Sequence, residues 1–351
     1  LDKRAGGKEQ GGGEIQGPGT DTNNIIEVNG LKVYYDLKDS FTSDVLLGRK
    51  RQVRAVDDVS FAIGKGEVLS LVGESGSGKT TTGKAILQLL KITEGDILFR
   101  GERIDPGDKA FMKGFRQKAQ MIFQDPYQAL NPRNFVLDLI AEPLDVNRLV
   151  GSVKEREERV ILALEQAGLS PGGDYLYRYP HELSGGQRQR VVIAGAMIMN
   201  PDFIVADEPV SMLDASIRTG ILKLMMQFRE ERELAYLFIT HDLSLAWLIA
   251  DRIAIMYLGG ILEIGRADDV IKRGLHPYTQ ALTAIMPIPG VNTGKERVTL
   301  PGEIPSASEE IIGCKFRSRC DKAMDICARQ RPVLKEIEES HFTACHLYKA
   351  K

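Results

Sequence analysis

Eight residues constrain this chain more than any others: Gly73-Glu74-Ser75-Gly76-Ser77-Gly78-Lys79-Thr80. They fit G-x-x-x-x-G-K followed by Ser or Thr, the pattern of a phosphate-binding loop. Val68-Leu69-Ser70-Leu71-Val72 before it is apolar enough for a buried strand. Residues 81–90 after it are expected to form a helix with Ala85, Ile86, Leu89 and Leu90 on one face. The glycines let backbone N–H groups curl around phosphate oxygens, and the helix N-terminus adds partial positive charge. The candidate nucleotide contacts are therefore Gly73, Ser75, Gly76, Gly78, Lys79, Thr80 and Thr81. Lys79 is suited to the β- and γ-phosphates, and Thr80 to offering its hydroxyl to Mg²⁺. A Gly/Ser surface loop with a chance lysine would not require a strand on one side and a helix on the other.

At 351 residues the chain has room for two or three domains, and 43% hydrophobic with 27% charged residues implies a full globular core. A formal net charge of −2 argues against a dedicated nucleic-acid binder. No apolar run approaches the ~18 residues of a membrane span, and no signal-peptide pattern opens the sequence. A soluble chain is expected, whose membrane role, if any, needs a separate partner.

Residues 1–24 carry seven glycines and no apolar periodicity, the composition of a disordered tail. Order is expected from Ile25-Ile26-Glu27-Val28, with Asn29-Gly30 as a turn and Leu31-Lys32-Val33-Tyr34-Tyr35 as the second arm of a hairpin. The basic Arg49-Lys50-Arg51 reads as solvated surface. Strands are expected at 53–63, 95–99, 121–124, 203–206 and 236–240. Helices are expected at 136–168, 187–199, 217–233 and 243–250, and a closing hairpin at 252–264. Beyond about Ala267 short segments, prolines and all four cysteines suggest a small appended domain.

Two further stretches carry chemistry. The apolar Phe203-Ile204-Val205-Ala206 leads into Asp207 and Glu208. Asp207, at the strand end, is suited to hold Mg²⁺. Glu208 faces the other way, where a carboxylate can orient or deprotonate an attacking water. Leu183-Ser184-Gly185-Gly186-Gln187 opens a helix with a hydroxyl, free N–H groups and a dipole, a second anion cradle. One nucleotide needs one cradle, so the second suggests a nucleotide held between two chains.

With these motifs in place the sequence resembles the ATP-binding cassette (ABC) ATPases over about residues 25–264. Gly73–Thr80 matches the family's Walker A motif, Phe203–Glu208 its Walker B, and Leu183–Gln187 its signature. Gln124 matches the Q-loop, Asp214 the D-loop aspartate and His241 the switch histidine. The resemblance implies an α/β P-loop NTPase core, a mixed sheet with an antiparallel β subdomain and a helical subdomain (about 125–200), and MgATP as substrate. It places the nucleotide-binding domain at 25–266 and a C-terminal domain at 267–351. It implies that Glu208 activates water, that Gln124 meets Mg²⁺ and that water, and that His241 holds the γ-phosphate. Ser184, Gly185, Gly186 and Gln187 would grip the γ-phosphate on the opposite chain, and Tyr35 would stack on adenine, with Tyr34 the alternative one residue away. Met212 and Gly195 depart from the family's usual alanine and arginine without removing a reacting group.

Smaller patterns resemble the oligopeptide/dipeptide importer branch. They are Phe123-Gln124-Asp125-Pro126-Tyr127, Leu130-Asn131-Pro132-Arg133, Tyr257-Leu258-Gly259, Glu263-Ile264-Gly265, His276-Pro277-Tyr278-Thr279, and Leu300–Pro305 with Gly313-Cys314. The long segment before Val53-Arg54-Ala55-Val56-Asp57 and the wording Pro209-Val210-Ser211 are similar to the second, F-type ATPase of such systems. That implies pairing with a related ATPase (a homodimer being the simpler possibility), two transmembrane permease subunits, an extracytoplasmic substrate-binding protein, no nucleic acid, and a place on the cytoplasmic face of the membrane. Oligosaccharide or metal-ion cargo is open on the same motifs. A soluble non-transport ABC ATPase is a further alternative, but the chain has neither the coiled-coil insertion nor the tandem cassette it would predict.

Cys314, Cys320, Cys327 and Cys345 are spaced C-x5-C-x6-C-x17-C, unlike the C-x2-C pairs of common zinc modules. Clustered cysteines in a nucleotide-binding protein suggest metal before disulfides. Four thiolates suit a 4Fe-4S cluster or tetrahedral zinc, and unligated thiols are the third reading. The importer resemblance favours the cluster, in a structural role.

Overall fold

A computed structural model of the chain describes residues 23–36, 52–286, 305 and 311–349. Residues 1–22 of the expected tail, the Arg49-Lys50-Arg51 run and all of the Leu300–Pro305 pattern except Pro305 lie outside the described residues, and the tail ends earlier than expected because Asn24 already opens a strand paired to Gly64. In chain order the strands are β1 (Asn24–Asp36), β2 (Gln52–Gly64), β3 (Val68–Val72), β4 (Glu94–Phe99), β5 (Glu102–Arg103), β6 (Ala119–Ile122), β7 (Phe203–Asp207), β8 (Ala235–Thr240), β9 (Arg252–Tyr257), β10 (Gly260–Arg266), β11 (Lys335–Glu338) and β12 (His341–Thr343). The helices are α1 (Lys79–Ile86), α2 (Lys109–Lys118), α3 (Pro126–Ala129), α4 (Val136–Asn147), α5 (Val153–Gln166), α6 (Gly185–Met197), α7 (Ala215–Arg232), α8 (Leu243–Ile249), α9 (Ala267–Lys272), α10 (Pro277–Ile285) and α11 (Ile326–Arg329).

Two sheets organise these elements. An antiparallel sheet runs β2-β1-β4-β5, and a mixed sheet runs β11-β12-β10-β9-β3-β8-β7-β6. Within the mixed sheet β3 lies parallel to both β8 and β9, and β7 parallel to β6 and β8. Every residue of β3, β7 and β8 is buried. That is why they read as unbroken apolar runs: helices and the second sheet cover both faces. One core joins α4, α5 and α6 to one face of the mixed sheet, through Val136, Ile140, Leu164, Val191, Ile204 and Phe238. A second joins β1, β2 and α1 to the other, through Ile26, Val33, Ile63, Ile86, Val205 and Leu237.

Residues after Ala267 join the same sheet. β12 pairs with β10, Glu263 against Thr343 and Ile264 against Phe342. A third core mixes Val72, Leu243 and Tyr257 with Tyr278, Cys314, Phe316 and Cys327. Among the described residues, then, the C-terminal segment is a module built onto the main sheet.

Three local expectations are corrected. Asn29-Gly30 does not turn a hairpin. β1 runs through it as one strand, and the register with β2 slips between Val28↔Phe61 and Leu31↔Val59. Gly30 takes φ +56° there and its N–H donates to Ser60 Oγ at 2.8 Å, a glycine-bearing bulge rather than a reversal. The single helix expected over 136–168 is two. Arg148, at φ +55°, ends α4, and Ser152 caps α5 by accepting from the Glu155 N–H. The helix after the phosphate loop stops at Ile86. Gln88 turns left-handed at φ +55°, leaving Leu89 52% exposed instead of in the core.

Candidate functional site

The phosphate loop joins β3 to α1, and its backbone shape depends on glycine at two positions. A Cβ on Gly73 would lie 2.2 Å from the Met256 carbonyl oxygen. One on Gly78, at φ +102°, would lie 2.1 Å from the Ala55 oxygen. Both obstacles are strand backbone, which cannot swing aside. Lys79 sits inside the loop, nearly buried. Its Nζ donates to the carbonyls of Gly73 (2.8 Å) and Glu74 (2.9 Å) and to Ser77 Oγ (3.4 Å). Burial pulls its pKa down, while Glu208, Asp207 and Glu74 pull it back up. Such an ammonium is poorly satisfied by carbonyls alone and gains from phosphate oxygens.

Thr80 Oγ1 donates to Asp207 Oδ1 at 3.0 Å, so the hydroxyl and carboxylate expected at Mg²⁺ are adjacent. Burial raises the Asp207 pKa, opposed by the Thr80 hydrogen bond. This oxygen pair fits a hard divalent ion that also takes phosphate oxygens and water. On the other side, Glu208 is held from two directions. Gln124 Nε2 donates to its Oε2 at 3.1 Å, and His241 Nδ1 lies 3.0 Å from its Oε1. Glu208 stands at the end of β7 with φ +45°, where Ser211 N–H and Oγ both donate to its carbonyl. A non-glycine residue held left-handed is strained, and strain of this kind concentrates at functional sites. Gln124, Glu208 and His241 line one open cavity of about 650 Å³ with Gly73, Glu74 and Ser75. A carboxylate fixed in the same cavity as the loop can polarise a water facing a terminal phosphate.

Other expected residues stand apart. Ser184 is exposed at the start of α6, closed into a capping box: its Oγ accepts from Gln187 N–H, and Gln187 Oε1 accepts from the Ser184 N–H. Neither Ser184, Gly185, Gly186, Gln187 nor the exposed Asp214 at the start of α7 lines the cavity. At the β1–β2 end nearest Gly78 the two tyrosines divide. Tyr34 is fixed, donating its hydroxyl to Asp57 Oδ1 at 2.5 Å, while Tyr35 presents its ring outward, 42% exposed.

The sequence reading missed the contacts that bind the C-terminal module to this site. Asp57 Oδ2 meets Lys315 Nζ and Arg331 Nη1, each at 2.8 Å. Arg319 pairs with the Glu74 carboxylate at 2.8 and 3.3 Å. The Glu74 N–H donates to the Tyr278 hydroxyl at 3.3 Å. The module's four cysteines are free thiols, Cys314 and Cys327 buried. Burial pushes Cys314 up to about 11 and raises Cys320 and Cys345 as well. The N–H groups of Phe316, Lys322 and Leu347 each oppose this by bonding the sulfur two residues earlier. Among the described residues no group of three or more Cys, His, Asp or Glu side chains is arranged as a metal cage. Four free thiols within one module are donors of the kind a thiolate-bound metal takes.

The family described as ABC transporter matches residues 56–211, and the oligopeptide/dipeptide transporter C-terminal region matches residues 262–327. A putative oligopeptide transport ATP-binding protein of Bacillus subtilis, YkfD, is 45% identical over 93% of this chain and 96% of its own length. AppF of the same organism, an oligopeptide transport ATP-binding protein, is 44% identical over 92% and 97%. The dipeptide transport ATP-binding protein DppF of Haemophilus influenzae is 40% identical over 92% and 96%. Among solved structures, a dimer of the ATP-binding cassette MJ0796 in a post-hydrolysis state, bound to ADP and Pi, is similar with TM-score 0.60 at 28% identity. It covers 69% of this chain and 99% of that one.

Proposed function

This chain belongs to the ATP-binding cassette family of ATPases, and on that premise we propose that it powers di- and oligopeptide import through separate membrane permeases. The observation that carries the hydrolytic part is Glu208, bridged between Gln124 and His241 beside the Thr80–Asp207 pair. In this reading the loop N–H groups and Lys79 hold the phosphates, and Thr80, Asp207 and Gln124 would hold Mg²⁺, which when bound would supply neutralising charge to the phosphates. Glu208 draws the proton from the in-line water, His241 holds the γ-phosphate, and Tyr35 stacks on adenine. Ser184, Gly185, Gly186 and Gln187, outside the cavity of their own chain, serve the nucleotide of a partner, with Asp214 at the same contact.

The partner in this reading is a related ATPase, with two permeases and an extracytoplasmic binding protein completing an importer at the cytoplasmic membrane face. No helix among the described residues is long and apolar enough to cross a membrane, and in this reading cargo passes through other chains. Peptide cargo is supported by the relatives' names and the match over 262–327. The test is reconstitution of the chain with its partner ATPase, permeases and binding protein in liposomes. MgATP-driven uptake of labelled di- and oligopeptides is expected. Uptake of oligosaccharides or metal ions alone would replace peptide as the cargo, and ATP turnover with no dependence on permeases would reject the transport reading.

The same proposal assigns Cys314, Cys320, Cys327 and Cys345 to a structural 4Fe-4S cluster, with zinc the alternative. Its support is the four free thiols gathered in one module and the match to the oligopeptide/dipeptide transporter C-terminal region over 262–327, which takes in Cys314, Cys320 and Cys327. Protein purified without oxygen is expected to hold about four irons per chain with broad absorbance near ~400 nm. Cys320→Ser is expected to lose that iron and loosen residues 311–349. Iron retained in full with unchanged stability would reject the assignment, and one zinc without iron would recast the module as a zinc site.

A further inference from the structure

Glu74 is the second residue of the phosphate loop, and it brings a carboxylate to the cavity where phosphates are expected. An unpaired anion there would oppose a polyphosphate at close range. It is not unpaired. Arg319, its side chain only 7% exposed, spans both carboxylate oxygens at 2.8 and 3.3 Å. The guanidinium also lies over the Tyr257 ring, 5.8 Å from its centroid. Tyr257 belongs to an aromatic cluster with Tyr278 and Phe316, centroids 4.9–5.5 Å apart. Tyr278 reaches the same loop residue by accepting the Glu74 N–H. The Glu74 carbonyl in turn accepts from Lys79 Nζ. One loop residue is thus held at its side chain by Arg319 and at its N–H by Tyr278, and through its carbonyl it sets where the phosphate-binding lysine rests. Both holders lie outside the nucleotide-binding core, and Arg319 immediately precedes Cys320.

We propose that Arg319 is a positioning residue for nucleotide binding: it neutralises Glu74 and fixes the loop around Lys79, so the cysteine module sets the affinity of the phosphate site. This rests on the MgATP reading of the cavity. A merely structural Arg319 would lower stability without selective effect on nucleotide. A positioning Arg319 would weaken MgATP binding while leaving the rate at saturation nearly intact, because Glu208, Gln124 and His241 are untouched. It would also be dispensable once Glu74 carries no charge.

The test is a cycle of Arg319→Met, Arg319→Lys, Glu74→Gln and the Glu74→Gln/Arg319→Met double variant in the full chain. MgATP affinity, kcat and KM are measured for each. Loss of a charge-assisted pair beside a polyanion is expected to raise Kd and KM for MgATP about tenfold in Arg319→Met, with kcat within about twofold. Arg319→Lys, which keeps the charge but loses the two-point grip, is expected to fall between, and carries the test if the methionine variant does not fold. The double variant is expected to recover to within about threefold of the unmodified chain, a coupling that only a direct interaction produces. Unchanged affinity in both Arg319 variants, or no recovery in the double variant, would overturn the proposal while leaving the ATPase reading intact. No MgATP binding by the unmodified chain would overturn both.

Discussion

Glu208→Gln is expected to bind MgATP within about twofold of the unmodified chain and to lose at least ~100-fold in turnover, the scale of a positioned general base. The substitution preserves shape. The amide oxygen can still accept from His241 or Gln124, and the left-handed turn at φ +45° is held by the Ser211 N–H and hydroxyl, both donating to the Glu208 carbonyl, rather than by the carboxylate. What is lost is a group able to take a proton from water. The phosphate loop, Lys79, and the Thr80–Asp207 pair are unchanged, which is why binding survives. Because Ser184 and Gly186 lie outside the cavity of their own chain, nucleotide that is bound but not hydrolysed should also hold two chains together. Light scattering with MgATP is expected to show a longer-lived dimer for Glu208→Gln. Single-turnover rates near those of the unmodified chain would remove Glu208 from this role and shift attention to Gln124 and His241.

The parts of this site that could be read from the sequence are those made by short spacing. β3, β7 and β8 are near-continuous apolar runs that lead into polar residues, because strands buried on both faces leave no alternation to obscure them. Asp207 ends β7 and Glu208 follows it directly, so a strand end points to them, whereas His241, which follows β8, is named by the family resemblance. The misreadings arose where tertiary context overrode local pattern. Asn29-Gly30 is a strong hairpin signal, yet pairing of β1 with β4 on its other edge carries the strand straight through the bulge. Leu89 fits a helical apolar face, but the left-handed Gln88 ends the helix before that face can extend. The clamp between module and site was not legible at all. Arg319 and Glu74 are 245 residues apart, and Arg331 and Asp57 are 274 apart. No periodicity links such pairs, and each residue alone looks like ordinary surface charge.

Asp57→Asn is expected to produce the largest loss of stability of any single substitution at that clamp, about 3 kcal/mol. Asp57 and Lys315 are both nearly enclosed, with side chains 5% and 11% exposed. Burial pulls Lys315 down to about 8 even with its partner present, a measure of what desolvation costs this pair. An apolar pair of similar shape could replace them at little cost, but removing one partner leaves the other charge buried and unpaired. Arg331, 40% exposed, adds less because solvent screens it. Asp57 also accepts from the Tyr34 hydroxyl, so its loss frees β1 beside the outward-facing Tyr35. The pH dependence has a definite sign. Burial alone would raise the Asp57 pKa, but Lys315, Tyr34 and Arg331 outweigh it and hold the carboxyl well below the usual range. A carboxyl depressed in the folded state contributes stability that is fully present above its unfolded value near ~4 and is lost as pH falls through the folded value. Denaturant unfolding is therefore expected to show its full deficit for Asp57→Asn near pH ~5–6, narrowing towards about pH 8 as Lys315 loses its charge and closing below ~4 as the unmodified chain loses the same contribution. Hydrogen exchange should place the deficit in residues 311–349 and β2 and leave β3 and β8 protected. A deficit that persisted undiminished into acid would mean that Asp57 stabilises the clamp by packing and not by its charge.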